Sequence, residues 1–208
     1  AGVTLGLLGA TALICAHLLW EGVYTSFWDA LRFSSFQVVS VITTTGFITA
    51  DYAQWPYFTQ LVLLAIMMIG GCAGSTAGAI KCVIVIKAAF GELKKLVHPN
   101  AVVVVRQGEK AVSPQMVSAA SCFIAIYFMI WGLSAIAVSL TGNDIVTSIS
   151  AVSATLSNVG PGLADVGPVE NFADQAPFAK WVYTFDMLCG RLEIYTLLAL
   201  FTRSLWRK

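Results

Sequence analysis

The sequence predicts an all-α membrane protein made of two tandem repeats, each a span, a short half-helix, a glycine loop and a second span. Composition, the length of the apolar runs and a recurring order of elements carry that prediction. Of the 208 residues, 58% are hydrophobic and 11% are charged, whereas soluble domains run near ~45–50% apolar and ~25% charged. Mean hydropathy is +0.80. So much apolar material excludes disorder, and a chain of this length is too short to hide it in a soluble core. The 12 Lys and Arg against 11 Asp and Glu leave a net charge of +1, with no basic excess for nucleic acid.

Residues 2–20 form an apolar run about long enough to cross the hydrocarbon as a helix. Residues 26–42 hold Asp29 and Arg32, and their apolar part is too short to span, which fits a re-entrant half-helix. Thr43-Thr44-Thr45-Gly46-Phe47 and a polar stretch to Gln54 follow. Trp55-Pro56 opens an apolar run to about Phe90, with Pro suited to a first helical turn. That run is too long for one plain span, and Gly70-Gly71-Cys72-Ala73-Gly74-Ser75-Thr76-Ala77-Gly78 interrupts it. Each helical Gly costs roughly 1 kcal/mol relative to Ala, so a broken helix is expected there. Residues 91–112 are the most polar connector.

The order then recurs. Residues 114–140 span, and residues 143–157 make a short half-helix with Asn143-Asp144 at its cap. Asn158-Val159-Gly160-Pro161-Gly162 forms the loop, and residues 176–202 span again. Gly46 lies over Gly160 at an offset of 160 − 46 = 114 residues. The domains read as 1–90, a first loop-bearing repeat; 91–112, a basic connector; and 113–208, a second repeat. Repeats of this kind dictate architecture.

Charge placement gives an orientation. The connector carries Lys94, Lys95, Arg106 and Lys110, and the tail carries Arg203, Arg207 and Lys208. The loop regions 21–54 and 141–180 hold Arg32 and Lys180 against Glu21, Asp29, Asp51, Asp144, Asp165, Glu170 and Asp174. The positive-inside rule puts the connector and C-terminus in the cytoplasm and the acidic loops outside, where they concentrate cations. Cys15, Cys72, Cys82, Cys122 and Cys189 form no CxxC pair and read as small buried hydrophobes. His17 and His98 lack a second metal ligand at helical spacing. No nucleophile–base set or phosphate loop appears, which argues against an enzyme and against a cofactor.

Irregular backbone at membrane depth is tolerated where protein buries it or where it lines a watery path. A cation that sheds its water needs replacement oxygens, which backbone carbonyls supply when a residue tolerating positive φ turns them inward. Thr hydroxyls add more, and Phe47 is placed to wedge the strand from behind. Thr45-Gly46-Phe47 resembles part of the potassium-channel filter Thr-Val-Gly-Tyr-Gly; Asn158-Val159-Gly160-Pro161-Gly162 departs further from it.

Taken over essentially the whole chain, Ser40 to Phe47, the Gly70–Gly78 break, Ser157 to Gly162 and Gly190-Arg191 resemble the potassium-transporter superfamily of TrkH, KtrB and the plant HKT proteins, with bacterial TrkH nearest. The resemblance implies tandem helix–pore-loop–helix repeats of potassium-channel type around a central pore, and K⁺ uptake through it across the bacterial inner membrane. That family uses four repeats, so these two imply the C-terminal half of a longer chain whose N-terminal half supplies the other two. A natural two-repeat protein that dimerises is the alternative. The implied filter is Thr43, Thr44, Thr45, Gly46, Phe47, Asn158, Val159, Gly160 and Pro161, with K⁺ at Thr44, Thr45, Gly46, Asn158, Val159 and Gly160. Within that family the filter glycine favours K⁺, so the resemblance implies that Gly46 and Gly160 do so here.

The resemblance also makes Gly70, Gly71, Cys72, Ala73, Gly74, Ser75, Thr76, Ala77 and Gly78, with Lys81, an intramembrane gating loop below the filter. The residues alone leave GxxxG-type packing open, since Gly70, Gly74 and Gly78 are four apart. Arg191 sits near the middle of its span, where a lipid-facing Arg costs about 2.5–3.5 kcal/mol, so it is expected to face inward and bond this loop. Asp186 and Glu193 are not at i±3 or i±4 from it. Implied partners are a cytosolic nucleotide-binding regulatory subunit of the TrkA kind, a second copy of the chain and the lipid bilayer. An ion-coupled symporter with a midplane site is the competing function, and a membrane scaffold a third.

Overall fold

The computed structural model describes residues 2–72, 84–91, 94, 106–107 and 110–191. Its main helices are α1 (Gly2–Trp20), α2 (Phe27–Ile42), α3 (Tyr57–Cys72), α4 (Pro114–Ser139), α5 (Ile145–Leu156) and α6 (Pro177–Arg191). Short 3₁₀ turns cover Tyr52–Gln54 and Ala164–Val166. In the connector, Arg106–Gln107 pairs antiparallel with Lys110–Ala111. The protein is helical, with the order of elements read from the sequence.

Local chemistry sets the helix starts. The Ser113 hydroxyl accepts from the Met116 amide with Pro114 in the first turn, so α4 starts with a satisfied donor. The Asp144 carboxylate accepts from the Val146 amide at 3.2 Å and caps α5 as its sequence suggested. Asp29 stands in the first turn of α2, where a negative charge favours the helix dipole. Helix α4, at 26 residues, is long and apolar enough to cross a membrane.

Polar and apolar side chains are sorted as lipid requires. Leu8, Leu61, Met129, Leu133 and Ile136 are exposed on the helix surfaces, more apolar area than a soluble monomer leaves open. The interior instead holds Ser34, Gln37, Ser40, Thr147, Ser150, Ser153, Thr155 and Asp186. Every residue of α5 from Ser150 to Leu156 is buried. Helices α1, α2 and α3 pack together, as do α4, α5 and α6, and α3 also packs on α5. One hydrophobic cluster joins the halves, with Val38, Val41, Tyr52, Trp55 and Met67 from the first and Ala154, Val159 and Leu163 from the second.

The break expected at Gly70 does not begin there. Helix α3 runs through Gly70 and Gly71 to Cys72. A Cβ at Gly70 would press on the Ile42 carbonyl oxygen at 3.1 Å and that of Val41 at 3.3 Å, so this glycine lets α3 lie against the end of α2. The other gate residues predicted, Ala73, Gly74, Ser75, Thr76, Ala77, Gly78 and Lys81, lie outside the described residues, as does Glu193.

Candidate functional site

The loops after α2 and α5 follow the same backbone course, 114 residues apart. The amides of Thr43 and Ser157 donate to Val39 and Ser153, and those of Thr44 and Asn158 to Val41 and Thr155. Those of Thr45 and Val159 donate at 2.9 Å to Ser40 and Ala154, and those of Gly46 and Gly160 at 3.4 Å to the same two carbonyls. Positive φ falls at matching alternate positions: 53° at Thr44 and 54° at Asn158, then 74° at Gly46 and 109° at Gly160. Glycine serves the last pair because a side chain is strained there.

This course divides the peptide groups. Two consecutive N–H groups in each loop converge on one carbonyl of the preceding helix, filling the concavity with the chain's own oxygen. Among the described residues no donor reaches the carbonyls of Thr44, Thr45, Gly46, Asn158, Val159 or Gly160. Both helices meet the loops with their C-terminal ends, which carry the negative end of the helix dipole. An array of unclaimed carbonyls at two negative helix ends suits a cation.

The structure brings the two loops into contact. A Cβ on Gly46 would collide with the Val159 carbonyl oxygen and lie 3.3 Å from Pro161 Cδ. One on Gly190 would collide with the Leu156 carbonyl oxygen and the Asn158 amide, so α6 lies against the end of α5 as α3 does against α2. Gly70 and Gly190 are therefore equivalent, six residues beyond the loop offset, because the second loop is longer.

Other side chains hold each loop in place. Ser40 Oγ donates to the Phe47 carbonyl at 2.7 Å, and Thr43 and Thr45 hydroxyls lie 2.7 Å apart. Asn158 Nδ2 donates to the Met187 carbonyl at 3.2 Å. From α4, the Tyr127 hydroxyl lies 3.0 Å from Ser157 Oγ, and the Trp131 indole donates to Ser153 Oγ at 2.9 Å. The Tyr52 hydroxyl reaches across to the Pro161 carbonyl at 3.3 Å. Sequence reading missed these three aromatics. Tyr127 and Trp131 carried a usable signal, two aromatics with polar tips at i and i+4 in an otherwise apolar run. Tyr52, alone in a polar loop, carried none.

One expectation changes. Phe47 does not wedge the strand from behind. Its ring is 70% exposed and lines an open cleft of about 480 Å³ with Arg32, Phe36, Val39, Thr43 and Thr45. Ser40 Oγ meets the Phe47 carbonyl, and the Tyr52 and Trp55 rings are buried against each other. Arg191 is the last described residue of α6 and is exposed in this chain, and most of the loop it is expected to bond lies outside the described residues. The charge buried in α6 is Asp186, whose Oδ1 accepts from Ser134 Oγ at 2.6 Å and whose Oδ2 has no hydrogen-bond partner among the described residues. Some acidic loop residues do structural work as well: Asp51 accepts from the Ala53 amide and from Gln54 Nε2.

Comparison with known proteins agrees with this geometry. A family model described as TrkH, cation transport protein, matches residues 8–208. The Trk system potassium uptake protein TrkH of Salmonella typhimurium is 42% identical over 200 residues, covering 94% of this chain and 41% of that protein. TrkH of Escherichia coli K12 is 41% identical over 208 residues, covering 98% and 43%. The crystal structure of the potassium transporter TrkH from Vibrio parahaemolyticus superposes with a TM-score of 0.86 at 40% identity, over 97% of this chain and 43% of that one. The chain thus spans about two-fifths of the length of the curated relatives it matches. With a model matched along nearly its whole length and a solved structure of the same fold, the chain belongs to the TrkH family of cation transport proteins.

Proposed function

We propose that this chain forms part of a K⁺ uptake pore, in which dehydrated K⁺ passes between backbone carbonyls of Thr44, Thr45 and Gly46 on one side and Asn158, Val159 and Gly160 on the other. The observation that carries it is the paired loop course, with amide groups turned back onto Ser40 and Ala154 and carbonyls left unclaimed. K⁺ is the ion the relatives' names give. Since the chain spans 41–43% of those relatives, two further repeats from the rest of a longer chain complete the ring. The 70–78 segment with Lys81 and Arg191 forms the gate beneath. The basic connector faces the cytoplasm of a bacterial inner-membrane protein and docks a nucleotide-binding regulatory subunit, and a second copy makes a dimer.

The test is flux of K⁺ and Na⁺ through the full-length protein in proteoliposomes. Gly46→Asp puts a side chain into the Val159 carbonyl and is expected to abolish K⁺ flux in folded protein; retained flux refutes the filter assignment. Ion-coupled symport is a second reading, favoured by the fully buried Asp186 carboxylate within α6, since such groups mark coupling sites in transporters. Steady K⁺ currents without an H⁺ or Na⁺ gradient exclude it.

A further inference from the structure

The two candidate filter loops are tied to one another at one point by a side chain. Tyr52 is 1% exposed, its ring set edgewise against Trp55 with centroids 6.5 Å apart. Its hydroxyl crosses 109 residues of sequence to the Pro161 carbonyl. Pro161 has no N–H, so that carbonyl is its one main-chain polar group. The neighbouring contact, Gly46 against the Val159 carbonyl, is steric only. Tyr52 and Val159 belong to the same buried cluster. At the 114-residue offset the counterpart of Tyr52 is Val166, also 1% exposed and without a hydroxyl. The tie therefore runs one way.

We infer that Tyr52 is a selectivity-positioning residue, whose hydroxyl holds the Pro161 carbonyl and thereby sets the distance between the Gly46 and Gly160 loops. The inference rests on the pore reading above. Cations of unequal radius are distinguished by the spacing and field of the oxygens around them. A loop freed at Pro161 lets the carbonyls of Val159 and Gly160 close on a smaller ion. Removing the hydroxyl therefore relaxes discrimination without blocking passage.

The test uses full-length protein in proteoliposomes, with K⁺ and Na⁺ flux measured on the same preparation. Tyr52→Phe removes one oxygen and keeps the ring. The K⁺-over-Na⁺ flux ratio is expected to fall about three- to tenfold, the equivalent of one neutral hydrogen bond, while total cation flux persists. A selective wild type with an unchanged ratio in a folded Tyr52→Phe protein overturns the role of Tyr52 and leaves the pore reading standing. A wild type without K⁺-selective flux overturns both. Should Tyr52→Phe give no folded protein, Tyr52→His decides, since its shorter ring stays polar but falls short of the Pro161 carbonyl. A folded His variant with a lowered K⁺-over-Na⁺ ratio supports the role, and one with the wild-type ratio, or no folded protein, overturns it, because Tyr52 then serves core stability alone.

Discussion

Glycine 190 shows what a single missing Cβ does here. It lets α6 lie directly on the Leu156 carbonyl and the Asn158 side chain, which in turn holds Met187. Gly190→Ala is expected to destabilise the protein by about 1–3 kcal/mol through overpacking, read as a lower melting temperature in detergent. Among the described residues, the buried Asp186 has its one hydrogen bond from Ser134. Ser134→Ala should cost about 1–3 kcal/mol, the penalty for stranding a buried polar group, checked by the same melting experiment. At Tyr52, burial and then the charge on Asp51 push the hydroxyl far above the 10.0 of a free phenol. Because the folded value is raised, the neutral hydroxyl's stabilisation is complete below the free-phenol value and is lost as pH rises beyond it. The melting-temperature difference between wild type and Tyr52→Phe is expected to hold constant through neutral pH and to shift against the wild type above about 10. These contacts were illegible in the chain: no periodicity announces that Tyr52 meets Pro161 or that Ser134 meets Asp186.

At the scale of elements, more was legible. The half-helix after Asn143-Asp144 begins where its capping residue stands, because a cap acts over three residues and needs no distant partner. Asp144→Ala is expected to cost about 0.5–2 kcal/mol by unsatisfying the Val146 amide, visible as a lowered melting temperature with the fold retained. Gly70-Gly71 misled for the opposite reason. Intrinsic propensity marks a weak point in a helix, yet packing against the C-terminal carbonyls of α2 holds α3 helical to Cys72. Phe47 was placed by analogy with a filter aromatic, yet its ring is exposed and Ser40 bonds its carbonyl.

At the scale of the molecule, apolar residues cover the outside of the helices and hydroxyls and amides line the contacts between them. Charge placement leads to the expectation that the acidic loops lie outside and the basic connector in the cytoplasm. In intact cells, a membrane-impermeant maleimide is expected to label a Cys placed at Glu170 from outside, and one placed at Lys94 only after permeabilisation; the reverse pattern overturns the orientation. The 114-residue repeat was readable in advance because glycine is the residue that suits positive φ, and Gly46 and Gly160 mark that need on the page. Thr44 and Asn158 share it without announcing it.

By itself the sequence determined the helical membrane architecture, the repeat, the cap at Asn143-Asp144 and the place of the two glycine loops. All of these follow from hydropathy, residue spacing and short-range hydrogen bonding. Only the tertiary structure decided that the loops touch through Gly46 and Val159, that α3 and α6 close on them through Gly70 and Gly190, and that Tyr52, Tyr127 and Trp131 hold them from behind. Those contacts join residues as many as 113 positions apart in the chain or pack glycines against backbone carbonyls. Steric fit and hydrogen-bond direction across such distances exist only once the helices are assembled.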